Sequence, residues 1–148
     1  MEEADGEIKI YARKSEDARL LMTIKGVSAL TAVTVVTAID GIYRFETPEK
    51  LVSFFGLAVP HKESAHKKQK VGVITKEGDP LVRKYLANVV IQQNMWCKDS
   101  DLSQFYRKKA ESMPHWKAVT AAMRKLTCII WAMLTKKQSY KFHPMMQS

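Results

Sequence analysis

Hydrophobic side chains recur every three or four positions along most of this chain, and the gaps between those runs carry residues that start and stop helices. Ser15-Glu16-Asp17 sets a capping hydroxyl and two carboxylates ahead of Ala18, Leu21 and Met22, which predicts a helix from about Ser15 to Thr23. Ile24-Lys25-Gly26-Val27-Ser28 follows, with Gly26 free to take positive φ, and Ala29 to Ile39 then resumes helical spacing with few breakers. Asp40-Gly41 ends that second helix. Thr47-Pro48-Glu49 supplies the cap and N1 proline of a third, which runs through Leu51, Val52, Phe54 and Phe55 and stops at Gly56.

From Leu57 to Glu77 the helical pattern lapses into a basic loop, or a loose hairpin around Val71-Gly72-Val73-Ile74. Asp79-Pro80 caps a longer helix in which Val82, Tyr85, Leu86, Val89, Val90 and Trp96 are expected to face a core, while Arg83 and Lys84 point elsewhere. A shorter helix is expected from Asp101 to about Glu111. The last runs from His115 to about Lys137, with Val119, Met123, Leu126, Ile130 and Leu134 on one stripe. The expected architecture is all-α: a helix-hairpin-helix-like start, then a small helical bundle, with one long basic loop or hairpin. Residues 1–14 read as an acidic N-terminal segment, 15–142 as a single helical domain and 143–148 as a tail.

Composition changes this picture little. With 148 residues, 46% of them hydrophobic, the chain has room for one ordinary core and needs no disulfide or metal staple. Cys97 and Cys128, about thirty residues apart, have neither zinc-site spacing nor the density of a secreted scaffold, which fits a reducing cytosol. The acidic first residues are the opposite of an export signal. The apolar stretches Ala29 to Ile39 and Thr127 to Leu134 fall short of the roughly twenty residues of a membrane span. A soluble, cytoplasmic protein without a membrane partner is expected. Charge matters more: 24 Lys and Arg against 15 Asp and Glu leave +9. The first two dozen positions hold six acids and four bases, so the rest carries +11. Such a surplus draws a protein to polyanions and makes nucleic acid the first partner to test.

Three features bear on that partner. Leu21 through Ala32 reads as a helix-hairpin-helix, in which the backbone amides of Lys25, Gly26, Val27 and Ser28 would face a DNA phosphate at the start of the second helix. Lys25 stands where many such motifs have proline and Ser28 where they have a second glycine; an ordinary αα-corner uses one glycine in the same way. Lys62, Lys67, Lys68, Lys70 and Lys76, with Arg83 and Lys84 just beyond, form the densest cationic stretch and suit a phosphate backbone, as they also suit a solvated loop. A second surplus, from Arg107, Lys108, Lys109 and Lys117 through Arg124, Lys125, Lys136, Lys137 and Lys141, favours a broad basic face. Ser64 sits among the loop cations, the setting for phosphoryl transfer through a covalent intermediate, but without a Gly-x-Ser-x-Gly elbow or a local His and Asp relay. Asp99 and Asp101 read as capping and turn residues, the four histidines lack paired spacing, and Trp96, Trp116 and Trp131 read as core or rim packing. No metal site and no cofactor are expected in this chain.

Several short stretches occur in a telling order: Ile24-Lys25-Gly26-Val27 through Thr31-Ala32, Arg44-Phe45, Leu51-Val52-Ser53-Phe54-Phe55-Gly56-Leu57-Ala58, Gly72-Val73-Ile74-Thr75-Lys76-Glu77-Gly78-Asp79, and Arg83. From about Leu20 to about Phe142 the chain thereby resembles the C-terminal domain of the insertion sequence 110/116/902 transposases, serine-dependent and RNA-guided DNA recombinases. The resemblance implies a serine, in a Ser-Gly pair ahead of the Gly-x-Ile-Thr-Lys-x-Gly stretch, whose hydroxyl attacks a DNA phosphate. Here the region reads Glu63-Ser64-Ala65-His66. Ser64 is the only nearby serine and lacks its glycine; an ungapped count back from Gly72 places Ala65 there, and Ser64 matches if the loop is one residue longer.

The resemblance further implies DNA as partner, a guide RNA, a homo-oligomer in the full-length protein, and an N-terminal domain whose four carboxylates bind Mg2+. Nothing of that length precedes Leu20, so the chain is expected to be an excised domain or a shortened reading frame, unable to recombine DNA alone. Two alternatives remain at this point: a non-catalytic helix-hairpin-helix module of repair or junction-binding type, and an oligomerising interaction domain that binds nucleic acid incidentally.

Overall fold

The computed structural model describes residues 2–59 and 78–141, and every regular element among them is helical. Seven α-helices follow in order: α1 (Glu2–Lys14), α2 (Glu16–Leu21), α3 (Ala29–Ile39), α4 (Pro48–Phe54), α5 (Pro80–Trp96), α6 (Asp101–Ala110) and α7 (His115–Lys136), with a 3-10 turn at Ile42–Arg44. The all-α expectation holds. The capping residues read from the sequence make the bonds expected of them. Ser15 Oγ accepts from the Ala18 amide at 3.1 Å, Thr47 Oγ1 from Lys50 at 3.3 Å, and Asp79 Oδ1 from Leu81 at 2.9 Å. At α6 the cap is Ser100, between Asp99 and Asp101; its Oγ accepts from the Ser103 amide at 3.0 Å.

Helix α7 is the spine, packing against α2, α4, α5, α6 and the 3-10 turn. Its expected stripe of Val119, Met123, Leu126, Ile130 and Leu134 is buried throughout, joined by Ala118, Ala122, Thr127 and Met133. Within this 22-residue helix an 18-residue window reaches mean hydropathy 1.3, long and apolar enough to cross a membrane by length and composition alone. Here that apolarity is spent on the neighbours that surround it. Each fully buried Leu or Ile contributes roughly 1.5–3 kcal/mol.

Helix α1 occupies the stretch that reads from sequence only as an acidic N-terminal segment. It lies on α2 and α3, with Ala12 completely buried. The far end of the chain returns to the same region: Lys137 Nζ meets Asp17 Oδ1 at 2.6 Å, and the Tyr140 amide donates to Thr23 Oγ1 at 2.8 Å.

Along α5 the structure corrects three expectations. Val82, Leu86, Val89 and Val90 face the core as expected, but Tyr85 is only half-buried and Trp96 is 77% exposed. The buried face ends one turn earlier, at Gln93. Arg83, expected to point away, is half-buried and donates inward to a backbone carbonyl. Of the other tryptophans, Trp116 is 64% exposed, whereas Trp131 is half-buried and its Nε1 donates to the Phe45 carbonyl at 2.9 Å.

Gln93, 2% exposed, spans three elements. Its Nε2 donates to the Lys25 carbonyl at 2.8 Å, and its Oε1 accepts from Ser100 Oγ at 2.8 Å. Gln93→Leu keeps the volume but strips the Lys25 carbonyl of its side-chain donor and leaves Ser100 Oγ only its Ser103 contacts, so we expect a loss of about 2 kcal/mol, read as a lower urea midpoint at unchanged slope.

Candidate nucleic-acid interface

The turn between α2 and α3 forms as a tight corner. Gly26 takes φ +93°, and Ser28 caps α3 by accepting from the Thr31 amide at 3.2 Å. A Cβ built on Gly26 would meet Gln92 and Val89 of α5 at 3.5–3.6 Å, an ordinary contact. The backbone angle, rather than lack of space, is therefore what calls for glycine. Lys25 and Ser28 are exposed and the first amides of α3 have no intrahelical acceptor, but the Val27 amide, expected to face a phosphate, donates instead to the Ile24 carbonyl at 3.1 Å. Because Gln93 holds the Lys25 carbonyl, the corner is fixed against α5.

Lys62, Ser64, Lys67, Lys68, Lys70 and Lys76 lie outside the described residues, as does Ala65. The two ends of that stretch are described, and they meet. Arg83 Nη1 donates to the Phe55 carbonyl at 3.1 Å, and Arg124 Nη1, from α7, donates to the Leu57 carbonyl at 3.2 Å. The sequence pattern assigns Arg83 to a phosphate; the structure engages it first with the chain's own backbone.

The second basic surplus is brought together in large part. Three adjoining depressions run along α6 and onto α7. The first, about 590 Å3, lies between Lys98 and Asp99 on one side and Gln104, Arg107, Lys108 and Glu111 on the other. The next, about 580 Å3, shares Gln104, Lys108 and Glu111 and adds Phe105, Lys109 and Lys125. The third shares Lys125 and ends at Lys136 and Lys141. Seven bases thus line a trough that holds three acids, Asp99, Asp101 and Glu111. Lys109 and Lys125, from different helices, converge on the Phe105 ring, with Nζ 5.4 and 5.1 Å from its centroid.

None of the seven makes an ion pair among the described residues; the pairs there are Lys50 with Glu46 and Lys137 with Asp17. Lys137 therefore leaves the basic face expected of it, and Arg124 turns toward Leu57. Lys98 joins a face to which the sequence pattern does not assign it. Its signal is weak because Asp99 and Asp101 beside it cancel its charge. No group of three or more His, Cys, Asp or Glu that could hold a metal ion occurs among the described residues.

Residues 18–107 match the model of the transposase IS116/IS110/IS902 family. The chain belongs to that family. It is 29% identical over 137 residues to a transposase for insertion sequence element IS1111A of Coxiella burnetii, covering 91% of this chain and 37% of that protein. It is 26% identical over 139 residues to a probable family 20 transposase of Pseudomonas aeruginosa, covering 91% of this chain and 41% of that one. The chain thus spans about two fifths of the length of these curated relatives. No solved structure matches.

Within the family match, Arg44 and Phe45 hold the end of α3. Arg44 Nε donates to the Ile39 carbonyl at 2.8 Å, and its guanidinium lies 4.5 Å from the Phe45 ring centroid. Beside Arg124, a depression of about 380 Å3 is lined by Glu49, Ser53, Val59 and Cys128. Burial, then the Glu49 carboxylate, pushes the Cys128 thiol above its ordinary pKa, with Lys125 opposing. The reactive thiolate is correspondingly scarce. At about pH 8 we expect iodoacetamide to modify Cys128 more slowly than an unfolded cysteine peptide, with the gap closing as pH rises; peptide mapping after timed quenching measures it.

Proposed function

We propose that this chain is the DNA-binding and catalytic-serine domain of an insertion-sequence transposase, working in the cytoplasm. The observation that carries the DNA part is the α6–α7 trough, whose cations have no carboxylate paired to them among the described residues. Ammonium groups without a carboxylate partner, set along a groove, fit a polyphosphate backbone, because each phosphate neutralised releases condensed counterions; Arg107, the one guanidinium among them, is held by Asn94. Lys62, Lys67, Lys68, Lys70 and Lys76 extend this role to the other basic stretch, and the Lys25, Gly26 and Ser28 amides of the corner are offered to one further phosphate, the Val27 amide being held by Ile24. DNA is the partner, in a homo-oligomer of the full-length protein and with a guide RNA as the family resemblance implies.

Ser64 is the proposed nucleophile. Its Oγ–P bond forms as one bridging P–O bond of the strand breaks. The hydroxyl proton passes to a base and the departing sugar oxygen takes up a proton, leaving a serine phosphodiester and a free sugar hydroxyl. The carboxylate domain that would bring Mg2+ belongs to the longer protein. These 148 residues supply DNA binding, and recombination calls in addition on the carboxylate domain that the family resemblance implies.

A second reading, a non-catalytic helix-hairpin-helix module of repair or junction-binding type, draws support from the corner itself, where Gly26 takes the positive φ the motif requires. Under that reading Gly26 substitutions weaken binding and Ser64 changes are silent.

Fluorescence anisotropy with a labelled duplex across a salt series tests the binding. We expect the logarithm of affinity to fall steeply and linearly with the logarithm of salt, and Lys109→Ala with Lys125→Ala to reduce that slope by about 0.9 for each phosphate no longer neutralised. An affinity indifferent to salt overturns the DNA reading. With the chain joined to the carboxylate domain of a longer relative, a covalent protein–DNA adduct should form and vanish in Ser64→Ala. An adduct that survives this change removes Ser64 from the mechanism.

A further inference from the structure

Gly56 lies two residues past the end of α4, and Gly78 two residues ahead of α5. At both places a side chain would destroy the packing. Gly56 takes φ +78°, and a Cβ on it would lie 2.7 Å from Arg83 Nη1 and 3.2 Å from the Cα of Gly78. A Cβ on Gly78, which is buried, would overlap the same nitrogen and stand 3.0 Å from the Phe55 carbonyl oxygen and 3.1 Å from the Gly56 Cα. The two glycines are therefore in backbone contact, with one guanidinium lodged against both.

That guanidinium is aimed by its helix. Asp79 caps α5, and the Arg83 amide bonds the Asp79 carbonyl at 3.1 Å, which sets Arg83 in the first turn just past Gly78. From there Nη1 reaches the Phe55 carbonyl at the negative end of α4. Arg124 holds the Leu57 carbonyl two residues on. A flat, permanently charged fork fits a slot floored by glycine backbone, where the bulkier ammonium of lysine has no equivalent geometry.

We propose that Arg83 is a positioning residue rather than a phosphate contact: with Gly56 and Gly78 it forms a clasp that holds together the two backbone ends between which residues 60–77 run. Its catalytic consequence rests on the serine reading above, because the clasp fixes where the segment containing Ser64 leaves and rejoins the helical body. The clasp itself rests only on described residues.

Two variants of the 148-residue chain test it, Arg83→Gln, and Gly78→Ala, which displaces the guanidinium without removing its charge. Hydrogen exchange should quicken at least tenfold at the Gly56 and Leu57 amides in both, while amides of α7 stay within twofold. Unchanged exchange at Gly56 and Leu57 overturns the clasp. This arm uses no nucleic acid, so it decides the clasp even where DNA binding fails.

In the salt series, Arg83→Gln should leave the slope unchanged; a drop of about 0.9 means that Arg83 neutralises a phosphate and overturns the assignment. In the joined protein, Arg83→Gln should lower the rate of adduct formation at saturating DNA at least tenfold, with the half-saturating DNA concentration within twofold. An unchanged saturating rate overturns the positioning role, whereas failure of the Ser64 reading shows separately, as an adduct that persists in Ser64→Ala.

Discussion

A single buried amide ties together parts of this molecule that lie far apart in sequence. Gln93 cannot exchange its partners for water, so the Lys25 carbonyl and the Ser100 hydroxyl must stay where it needs them. One partner belongs to the corner from which α3 starts; the other caps α6. The direction of both helices is therefore referred to one point on α5. The trough along α6 inherits that reference, and the electrostatic surface of the protein is set by a neutral group in its interior.

The residues through which the chain resembles its family turn out to be concentrated at seams. Gly26 makes the α2–α3 corner, Arg44 closes the end of α3, and Phe45 accepts from Trp131 on the spine. Gly56, Gly78 and Arg83 join the ends of α4 and α5. These positions share a physical trait: each needs a backbone angle, a close approach or a planar donor that few other residues supply. The cations of the trough do not share it, because an exposed ammonium on a flexible stem can sit at neighbouring helix positions at little cost. Among the described residues, these seam positions and the cations of the α6–α7 trough are thus different residues.

Most of the helical frame is legible in the sequence because its signals are local. Ser15, Thr47 and Asp79 announce their helices by side-chain chemistry, and the α7 stripe by period. What escapes depends on tertiary contacts. Helix α1 buries Ala12, and an alanine among charged neighbours carries almost no hydrophobic signal. Trp96 looks like core because its spacing continues the α5 stripe, yet the elements packed on α5 end a turn earlier and the interior place goes to a glutamine. The inward turn of Arg83 is hidden for the same reason: its partner is a carbonyl 28 positions away. Basic clusters are visible as composition, but their sorting between faces is not, since Lys137 is claimed by Asp17 and Arg124 by Leu57.

The tryptophans lead to one last point. Trp96 closes the helix before α6 and Trp116 opens the one after it, and both indoles stand largely in water, whereas Trp131 is tethered by its N–H inside the body. Two of the three indoles are therefore already bathed in solvent in the native protein. Melting the core changes the surroundings of those two little and of Trp131 most, so the tryptophan signal of unfolding comes chiefly from the seam where Trp131 meets Phe45.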